Sequence, residues 1–217
     1  MQALIISGGH LEDGFAASYI ENYDFGLTIA VDSGMSFFYR QGWVPDYIVG
    51  DFDSVKPEIL QSFLGLKEDK PKVLQFQPEK DETDTEIAIR TAIGQGCGAI
   101  HILGATGSRL DHVLGNIHLL GMAMEQGVEV IMADPNNRIR MVREGLVLKK
   151  GGQYGKYVSL LPFTPQVTGL TLTGFKYPLD QYTLECYHSL GVSNEITGEQ
   201  AEISFRDGVL LVIESKD

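Results

Sequence analysis

Residues 99–125 read AIHILGATGSRLDHVLGNIHLLGMAME and join an apolar run to a helical pattern through a turn of small residues. The run Ala99–Leu103 is typical of a buried β-strand. From Arg109 to Glu125 the apolar residues recur at helical spacing, which predicts a helix with one buried stripe and a polar stripe opposite. A strand that leads through a short turn into a helix is the repeating unit of an α/β fold. The predicted buried stripe consists of Leu110, Val113, Leu114, Ile117, Leu120 and Met124.

The same unit repeats from Met1 to about Asp134, where short apolar runs alternate with helical patterns. This alternation predicts a mostly parallel sheet flanked by helices, a Rossmann-like α/β domain. The other predicted strands are Ala3–Ile6, Leu27–Val31, Tyr47–Val49, Val73–Phe76 and Val128–Met132.

Beyond about Asn137 the pattern changes to short strand-like segments separated by Gly, Pro and Asn turns. No long helical pattern interrupts them, so we predict a small all-β sandwich or barrel domain. The domains are therefore expected at 1–136 and 137–217. The predicted strands of the second domain are Arg138–Val142, Tyr157–Leu161, Leu170–Thr173, Ala201–Phe205 and Val209–Ile213.

The composition restricts the possible partners. A formal net charge of −12 argues against binding to a long polyanion, so we expect no nucleic-acid partner. Two cysteines, Cys97 and Cys186, indicate neither a disulfide framework nor a zinc site. The sequence has no apolar span of membrane length and no recognisable leader. We expect a cytoplasmic chain that does not bind membranes.

Glycines, serines and acids follow the predicted strands of the first half. In open α/β sheets ligands bind beyond the carboxyl ends of the strands, so these residues are expected at one edge. Asp51 and Asp53 flank Phe52 and can face the same side, which suits a hard cation such as Mg²⁺. The alternative is that they only cap the helix expected near Pro57. The four segments are Ser7–His10, Asp32–Gly34, Gly50–Ser54 and Gly104–Gly107.

A second acidic cluster, Lys80–Asp84, directly precedes a helical pattern. Asp81 or Thr83 could serve only as the N-cap, and Asp84 as a first-turn charge. The neighbouring Lys80 favours a ligand site, in which the lysine contacts phosphate and Asp84 holds the metal.

The turn within 104–112 is rich in small residues, so its backbone N–H groups, including that of Thr106, can approach an anion. Arg109, His112 and Asn116 follow on the predicted polar stripe of the helix. We expect Thr106, Arg109 and His112 to contact the nucleotide, although a solvated helix face would show the same pattern.

Several common enzyme classes are disfavoured by the absence of their motifs. The sequence has no Walker A loop, no GxGxxG fingerprint, no GxSxG elbow and no HExxH zinc pattern. A P-loop NTPase, a dinucleotide-binding enzyme, a serine hydrolase of the α/β class and a zinc protease are therefore poor hypotheses.

The segments GDFDS at 50–54, KDETD at 80–84 and GATGSRLDH at 104–112 resemble, in this order, those of the thiamine pyrophosphokinase family. Residues 191–195, GVSNE, look like the thiamine-contacting segment of that family. The resemblance implies a homodimer with active sites near the subunit interface. It also implies transfer of pyrophosphate from ATP to the hydroxyl of thiamine, which yields thiamine diphosphate and AMP.

The resemblance also implies roles for acidic residues. Asp51, Asp53 and Asp84 are expected to hold Mg²⁺. Asp81 and Asp111 are expected to add ligands or to orient water, Lys80 or Arg109, and Asp84 or Asp111 is the candidate general base.

Further expected contacts involve the substrates. Arg109 is the leading phosphate contact, and Ser193 and Asn194 are expected to contact thiamine. Asp32 and Ser33 are placed to contact either substrate, although a turn-forming role is equally compatible with the sequence.

Other activities remain compatible with the sequence. The first is a pyrophosphokinase or phosphotransferase that acts on a different alcohol, and the second is a metal-dependent phosphohydrolase. A nucleotide-sensing module without turnover is a third alternative, disfavoured because so many carboxylates repel one another unless a metal is bound.

Overall fold

The computed structural model describes residues 1–76 and 81–217, and their contacts divide the chain into two compact units. The first unit comprises Met1–Pro135 and the second Asn136–Asp217. Across the described residues, no helix combines the length and apolar character needed to cross a membrane.

The first unit is a mixed α/β structure. Its strands are β1 Gln2–Ile6, β2 Leu27–Val31, β3 Tyr47–Gly50, β4 Lys72–Gln75, β5 Ala99–Leu103 and β6 Glu129–Ala133. Its helices are α1 Asp13–Ile20, α2 Met35–Gln41, α3 Pro57–Leu64, α4 Asp84–Gly94 and α5 Leu110–Met124, and a 3₁₀ turn covers Asp32–Gly34.

The strands of this unit form one sheet in the order β6-β5-β1-β2-β3-β4. Each adjacent pair is parallel. The predicted mostly parallel sheet is thereby confirmed. Going outward from β1, the chain builds one side with β2, β3 and β4 and the other with β5 and β6. The order reverses between β1 and β5, and such a switch point opens a crevice at the carboxyl ends of the strands.

Local signals fix where several helices begin and end. Thr83 is the N-cap of α4, and its hydroxyl accepts a hydrogen bond from the amide of Glu86 at 3.2 Å. Helix α3 begins at Pro57, which suits a first helical position because proline has no N–H to satisfy. Gly42 is the C-cap that follows α2, and its φ of 67° is the left-handed conformation that glycine adopts readily.

Helix α5 buries a different face from the one that its apolar pattern predicts. Leu110 and Leu114 are 75% and 59% exposed, whereas Asn116 is only 8% exposed. The prediction for these three residues is therefore wrong. The face that contains Asn116, Leu120 and Ala123 is buried instead. The Asn116 amide is satisfied there, since it donates a hydrogen bond to the Ala105 carbonyl at 3.1 Å. A satisfied polar side chain can occupy a buried position.

The strands of the second unit belong to two sheets, and in each of them they pair with one another antiparallel. Their orders are β12-β9-β14-β7 and β11-β10-β13-β8. The strands are β7 Asn137–Val142, β8 Leu146–Lys149, β9 Tyr157–Pro162, β10 Gln166–Thr173, β11 Leu179–Glu185, β12 Asn194–Glu195, β13 Gln200–Ser204 and β14 Leu210–Ser215. Side chains from both sheets, such as Leu160 and Leu172, belong to one buried cluster, as in a sandwich.

A buried ion cluster lies in the sheet that contains β7 and β14. The carboxylate of Glu214 is fully buried and accepts bonds from Arg138 Nε and Nη2 at 2.9 and 2.8 Å. It also accepts bonds from Arg140 Nη2 at 3.1 Å and from the Tyr154 amide at 3.0 Å. Both arginine side chains are at most 15% exposed.

Candidate active site

A cavity of about 750 Å³ lies at the carboxyl ends of the strands in the first unit. Its walls come from the loops after β1, β2, β3 and β5 and from the first turns of α4 and α5. It is lined by Ser7, Gly8, Gly9, Val31, Asp32, Ser33, Asp51, Asp53, Ser54, Asp81, Glu82, Thr83, Asp84, Thr85, Gly104, Ala105, Gly107, Ser108, Arg109, His112 and Asn116.

Among residues 1–76 and 81–217, six carboxylate side chains line this cavity, from Asp32, Asp51, Asp53, Asp81, Glu82 and Asp84. The turn after β3 presents two of them together. Phe52 has a φ of 68° and buries its ring, and the Asp53 amide donates to Asp51 Oδ1 at 3.1 Å. Asp51 and Asp53 thus face the cavity while the ring between them faces the core, as their alternation predicts.

Asp32 shows how closely these charges are placed. Its Oδ1 atom is buried and accepts no hydrogen bond from any residue in 1–76 or 81–217. Burial raises the pKa of this carboxyl to about 7, and the negative charges of Asp84 and Asp51 contribute to the increase. The backbone of Gly50 approaches closely, since a Cβ there would lie 1.9 Å from Oδ1.

The backbone of the loop after β1 packs directly against the backbone of the turn after β5. A Cβ on Gly9 would lie 2.4 Å from the carbonyl oxygens of both Gly104 and Gly107. The Ser33 hydroxyl donates to the Gly8 carbonyl at 2.9 Å and fixes the other side of this loop. Only glycine fits at position 9, and this part of the cavity is formed largely by backbone atoms.

Arg109 is held at the mouth of the cavity by Asp111. The guanidinium donates from Nε and Nη2 to the two carboxylate oxygens, at 3.1 and 2.5 Å. Its hydrogen bonds lower the pKa of Asp111 to about 2. The His112 amide donates to the same carboxylate at 3.0 Å. Asp111 therefore orients Arg109, which lines the cavity together with His112.

A second cavity, of about 330 Å³, lies within the second unit. It is lined by Leu172, Tyr177, Leu179, Ser189, Leu190, Gly191, Val192 and Asn194. Asn194 is buried, and its amide pairs with the backbone of Tyr177. Asn194 Oδ1 accepts from the Tyr177 amide at 3.0 Å, and Nδ2 donates to the Tyr177 carbonyl at 2.8 Å. This two-bond clamp places the half-exposed Tyr177 ring beside mostly aliphatic walls.

Comparisons with known proteins match both units. The family model described as thiamin pyrophosphokinase, catalytic domain, matches residues 17–132. The model described as thiamin pyrophosphokinase, vitamin B1 binding domain, matches residues 145–210. A thiamine pyrophosphokinase of Bacillus subtilis is 35% identical over 191 residues, which cover 88% of each chain. The chain belongs to the thiamine pyrophosphokinase family.

Solved structures of the family have the same fold. The Bacillus subtilis thiamine pyrophosphokinase superposes with a TM-score of 0.88 at 31% identity over the whole of both chains. That of Geobacillus thermodenitrificans gives 0.84 at 31% identity, covering 100% of this chain and 98% of its own. The thiamin pyrophosphokinase of Candida albicans gives 0.82 at 18% identity, covering 99% and 88%, and supports the fold alone.

The expected site residues of this thiamine pyrophosphokinase family member distribute over both cavities. The first cavity collects most of them, namely Asp32, Ser33, Asp51, Asp53, Asp81, Asp84, Arg109 and His112. The second cavity contains Asn194. Thr106, Asp111 and Ser193 lie next to lining residues but are not themselves part of either lining. Lys80 lies outside the described residues.

Other lining residues have no individual role in the sequence-based expectations, although Ser7, Ser54 and Glu82 lie within the segments expected at the site. In the first cavity they include the hydroxyls of Ser7, Ser54 and Thr85 and the carboxylate of Glu82. In the second cavity Tyr177 supplies an aromatic ring. Serine and threonine beside glycines and acids also occur in ordinary turns, so no signal in the sequence separates them.

Asp32 should make the stability of the metal-free protein depend on pH. Its folded pKa of about 7 exceeds the ordinary 3.8, so the folded state keeps a proton that the unfolded state releases between these values. Its contribution to stability is fully present below pH 3.8 and is lost as the pH rises through 7. Thermal unfolding in EDTA is expected to shift to lower temperature over this window.

Asp32→Asn should flatten this pH dependence, because it removes the titrating group. Asp69→Asn is the matched control, since Asp69 is exposed and lies outside the cavity lining. If the unfolding temperature of Asp32→Asn falls with rising pH as steeply as that of the wild type, Asp32 is not the source of the pH dependence.

Proposed function

We propose that this chain transfers the pyrophosphoryl group of ATP to the hydroxyl of thiamine in the first cavity, as the family name describes. The observation that carries the proposal is the convergence of carboxylates, a glycine-rich turn and Arg109 at one switch point of a parallel sheet. The thiamine oxygen forms a bond to the β-phosphorus, and the bond between that phosphorus and the AMP oxygen breaks. The reversal of strand order between β1 and β5 supports describing the first unit as Rossmann-like.

The donor chemistry of these acidic residues suits Mg²⁺, although within residues 1–76 and 81–217 no three His, Cys, Asp or Glu side chains already form a metal-binding group. Asp32 Oδ1 is buried without a hydrogen bond from the described residues. Burial is the main cause of its raised pKa, and the charges of Asp84 and Asp51 add a repulsion that a divalent cation would relieve. We propose Asp51, Asp53 and Asp84 as the ligands, with Asp32 and Asp81 beside them. When bound, Mg²⁺ would neutralise charge on the phosphate oxygens.

Residues of the turn and of α5 would bind and orient the triphosphate. Arg109 supplies a planar pair of donors, and its pairing with Asp111 fixes the direction of the guanidinium before the nucleotide arrives. The close packing of Gly9 against Gly104 and Gly107 keeps side chains away from this backbone. Phosphate oxygens can therefore approach the N–H groups of the turn directly.

A carboxylate near the attacking hydroxyl can accept its proton. Asp111 is a weak base because its pKa of about 2 reflects its pairing with Arg109. Asp84 lines the cavity and shares a hydrogen bond with Asp32. We therefore propose Asp84, rather than Asp111, as the general base.

The second cavity is the proposed binding site for the thiamine rings. Its aliphatic walls and the Tyr177 ring suit a flat heteroaromatic group. The clamp between Asn194 and the Tyr177 backbone suggests that Asn194 acts mainly by placing this ring. Ser193 is exposed next to it and remains a proposed thiamine contact. In line with the resemblance, we propose a homodimer with active sites near the subunit interface.

The deciding experiment is incubation of the purified chain with ATP, Mg²⁺ and thiamine, followed by chromatography of the products. Equal amounts of AMP and thiamine diphosphate are expected, and EDTA should stop the reaction. If AMP forms only when another alcohol is present, that alcohol and not thiamine is the substrate. ADP and phosphate formed without an alcohol acceptor would indicate hydrolysis, and no turnover with any alcohol would favour a nucleotide sensor.

Tyr177→Ala is expected to raise the KM for thiamine about fivefold, because loss of ring stacking costs about 1 kcal/mol. The KM for ATP should not change. Steady-state AMP release at varied thiamine and at varied ATP measures both constants.

Two variants control for the loss of the Tyr177 ring. Tyr177→Phe keeps the ring and should behave like the wild type. Tyr182→Ala removes a 40% exposed ring of β11 that does not line the cavity, and it should also leave the KM for thiamine unchanged. An equal increase in Tyr182→Ala would contradict the role of Tyr177.

A further inference from the structure

A pair of buried hydroxyls lies in the lining of the first cavity. Ser7 Oγ and Thr85 Oγ1 are 3.0 Å apart, and each residue is only 7% exposed. Ser7 follows the central strand β1, and Thr85 directly follows Asp84 in the first turn of α4. The bond therefore joins the middle of the sheet to the helix that carries a proposed metal ligand.

One of the two hydroxyl hydrogens of this pair is not used in the bond between them. Two hydroxyls carry two hydrogens, and the bond between them uses one. Within residues 1–76 and 81–217 neither side chain makes another hydrogen bond. A buried hydroxyl hydrogen normally has an acceptor. Because both residues line the cavity, we infer that the acceptor is a group bound there.

The backbone holds Ser7 firmly in place. Its amide donates to the Leu103 carbonyl at 2.8 Å. A Cβ on Gly104 would lie 2.6 Å from the Ser7 carbonyl oxygen, and a Cβ on Gly34 would lie 2.1 Å from that of Ile6. Backbone thus packs closely against this strand end from two sides, so the backbone that carries the Ser7 hydroxyl is held in place before a ligand binds.

We propose that the Ser7–Thr85 hydroxyl pair donates a hydrogen bond to an oxygen of the ATP triphosphate. The proposal rests on the proposed function, which brings a triphosphate into this cavity. A neutral donor is suited to this position, because a lysine or arginine there would pair with the six surrounding carboxylates. The hydroxyl pair attracts the phosphate without competing for metal ligands.

The test uses the double variant Ser7→Ala/Thr85→Val, which removes both hydroxyls. Replacing both partners by apolar groups of similar shape has little effect on stability, so this variant is expected to fold. Binding of α,β-methylene-ATP with Mg²⁺ is measured by calorimetry, since this analogue cannot release AMP. Loss of a hydrogen bond to a charged oxygen predicts a Kd raised about tenfold or more. The KM for ATP should rise similarly, and the KM for thiamine should not.

Two further variants separate binding from structure. Thr85→Ser keeps the hydroxyl and should bind the analogue within about twofold of the wild type. Thr91→Val makes the same chemical change in the same helix, where the hydroxyl donates to the Ile87 carbonyl at 2.8 Å and does not line the cavity. It should lower thermal stability slightly without changing the Kd.

The outcomes distinguish this proposal from the proposed function. A double variant that binds the analogue like the wild type overturns the role of the pair while the proposed function stands. A wild-type chain that neither binds the analogue nor releases AMP overturns both. If the double variant does not fold, Ser7→Ala/Thr85→Ala, which also lacks both hydroxyls, is measured instead, and wild-type affinity in that variant overturns the proposal.

Discussion

Asp51→Asn is expected to lower turnover by a factor of about 100 or more while the fold stays intact. The change keeps the size of the side chain but removes one charge from the proposed magnesium site. Asp84→Asn should have at least as large an effect, because Asp84 is both a proposed ligand and the proposed base. The measurement is steady-state AMP release at saturating ATP and thiamine.

Stability distinguishes this loss of activity from misfolding. The charge of Asp51 contributes to the raised pKa of Asp32, so removing it relieves repulsion. In EDTA, Asp51→Asn should unfold at the same temperature as the wild type or at a higher one. Asp69→Asn serves again as the exposed control and should keep full turnover. Full activity in Asp51→Asn would refute the metal assignment.

Glu214→Ala is expected to destabilise the second unit by about 3–5 kcal/mol, because it leaves two mostly buried guanidinium groups without their carboxylate. It also removes the acceptor of the Tyr154 amide. Hydrogen exchange of peptides from β7 and β14 measures the loss in this unit directly.

A second carboxylate with two cationic partners provides the control. Glu195 contacts Lys176 Nζ at 2.8 Å and Lys156 Nζ at 3.7 Å, but the lysine side chains are 48% and 61% exposed. Glu195→Ala should therefore destabilise the unit far less than Glu214→Ala. If Glu214→Ala and Glu195→Ala destabilised the unit equally, burial would not be the reason for the stabilising effect of the Glu214 cluster.

The sequence predicts the buried strands well. β2 and β5 lie at the predicted residues, because strands that are buried on both faces appear as continuous apolar runs. The strands β8, β11 and β12, by contrast, are absent from the predicted set. All three lie at sheet edges, and β11 is exposed at most of its positions. The sequence of β11 is mostly polar and β12 has only two residues, so neither shows the apolar pattern on which the prediction depends.

The candidate site is predictable where the chain order brings residues to strand ends. The acids after β2 and β3 and those before α4 line one cavity, as the topology of a parallel sheet requires. The hydroxyl pair of Ser7 and Thr85 is not predictable, since these residues are distant in the sequence and meet only through packing. Asn116 likewise looks like a surface residue until its bond to the Ala105 carbonyl is seen.

The pairing of β1 with β5 has a consequence for synthesis on the ribosome. β1 ends at Ile6 and its neighbour β5 begins at Ala99, so one edge of the first strand stays open while the intervening chain is translated. Such an open apolar edge can pair with other chains. A nascent chain halted before Ala99 should therefore aggregate or be held by chaperones, and one that extends past β5 can close the sheet.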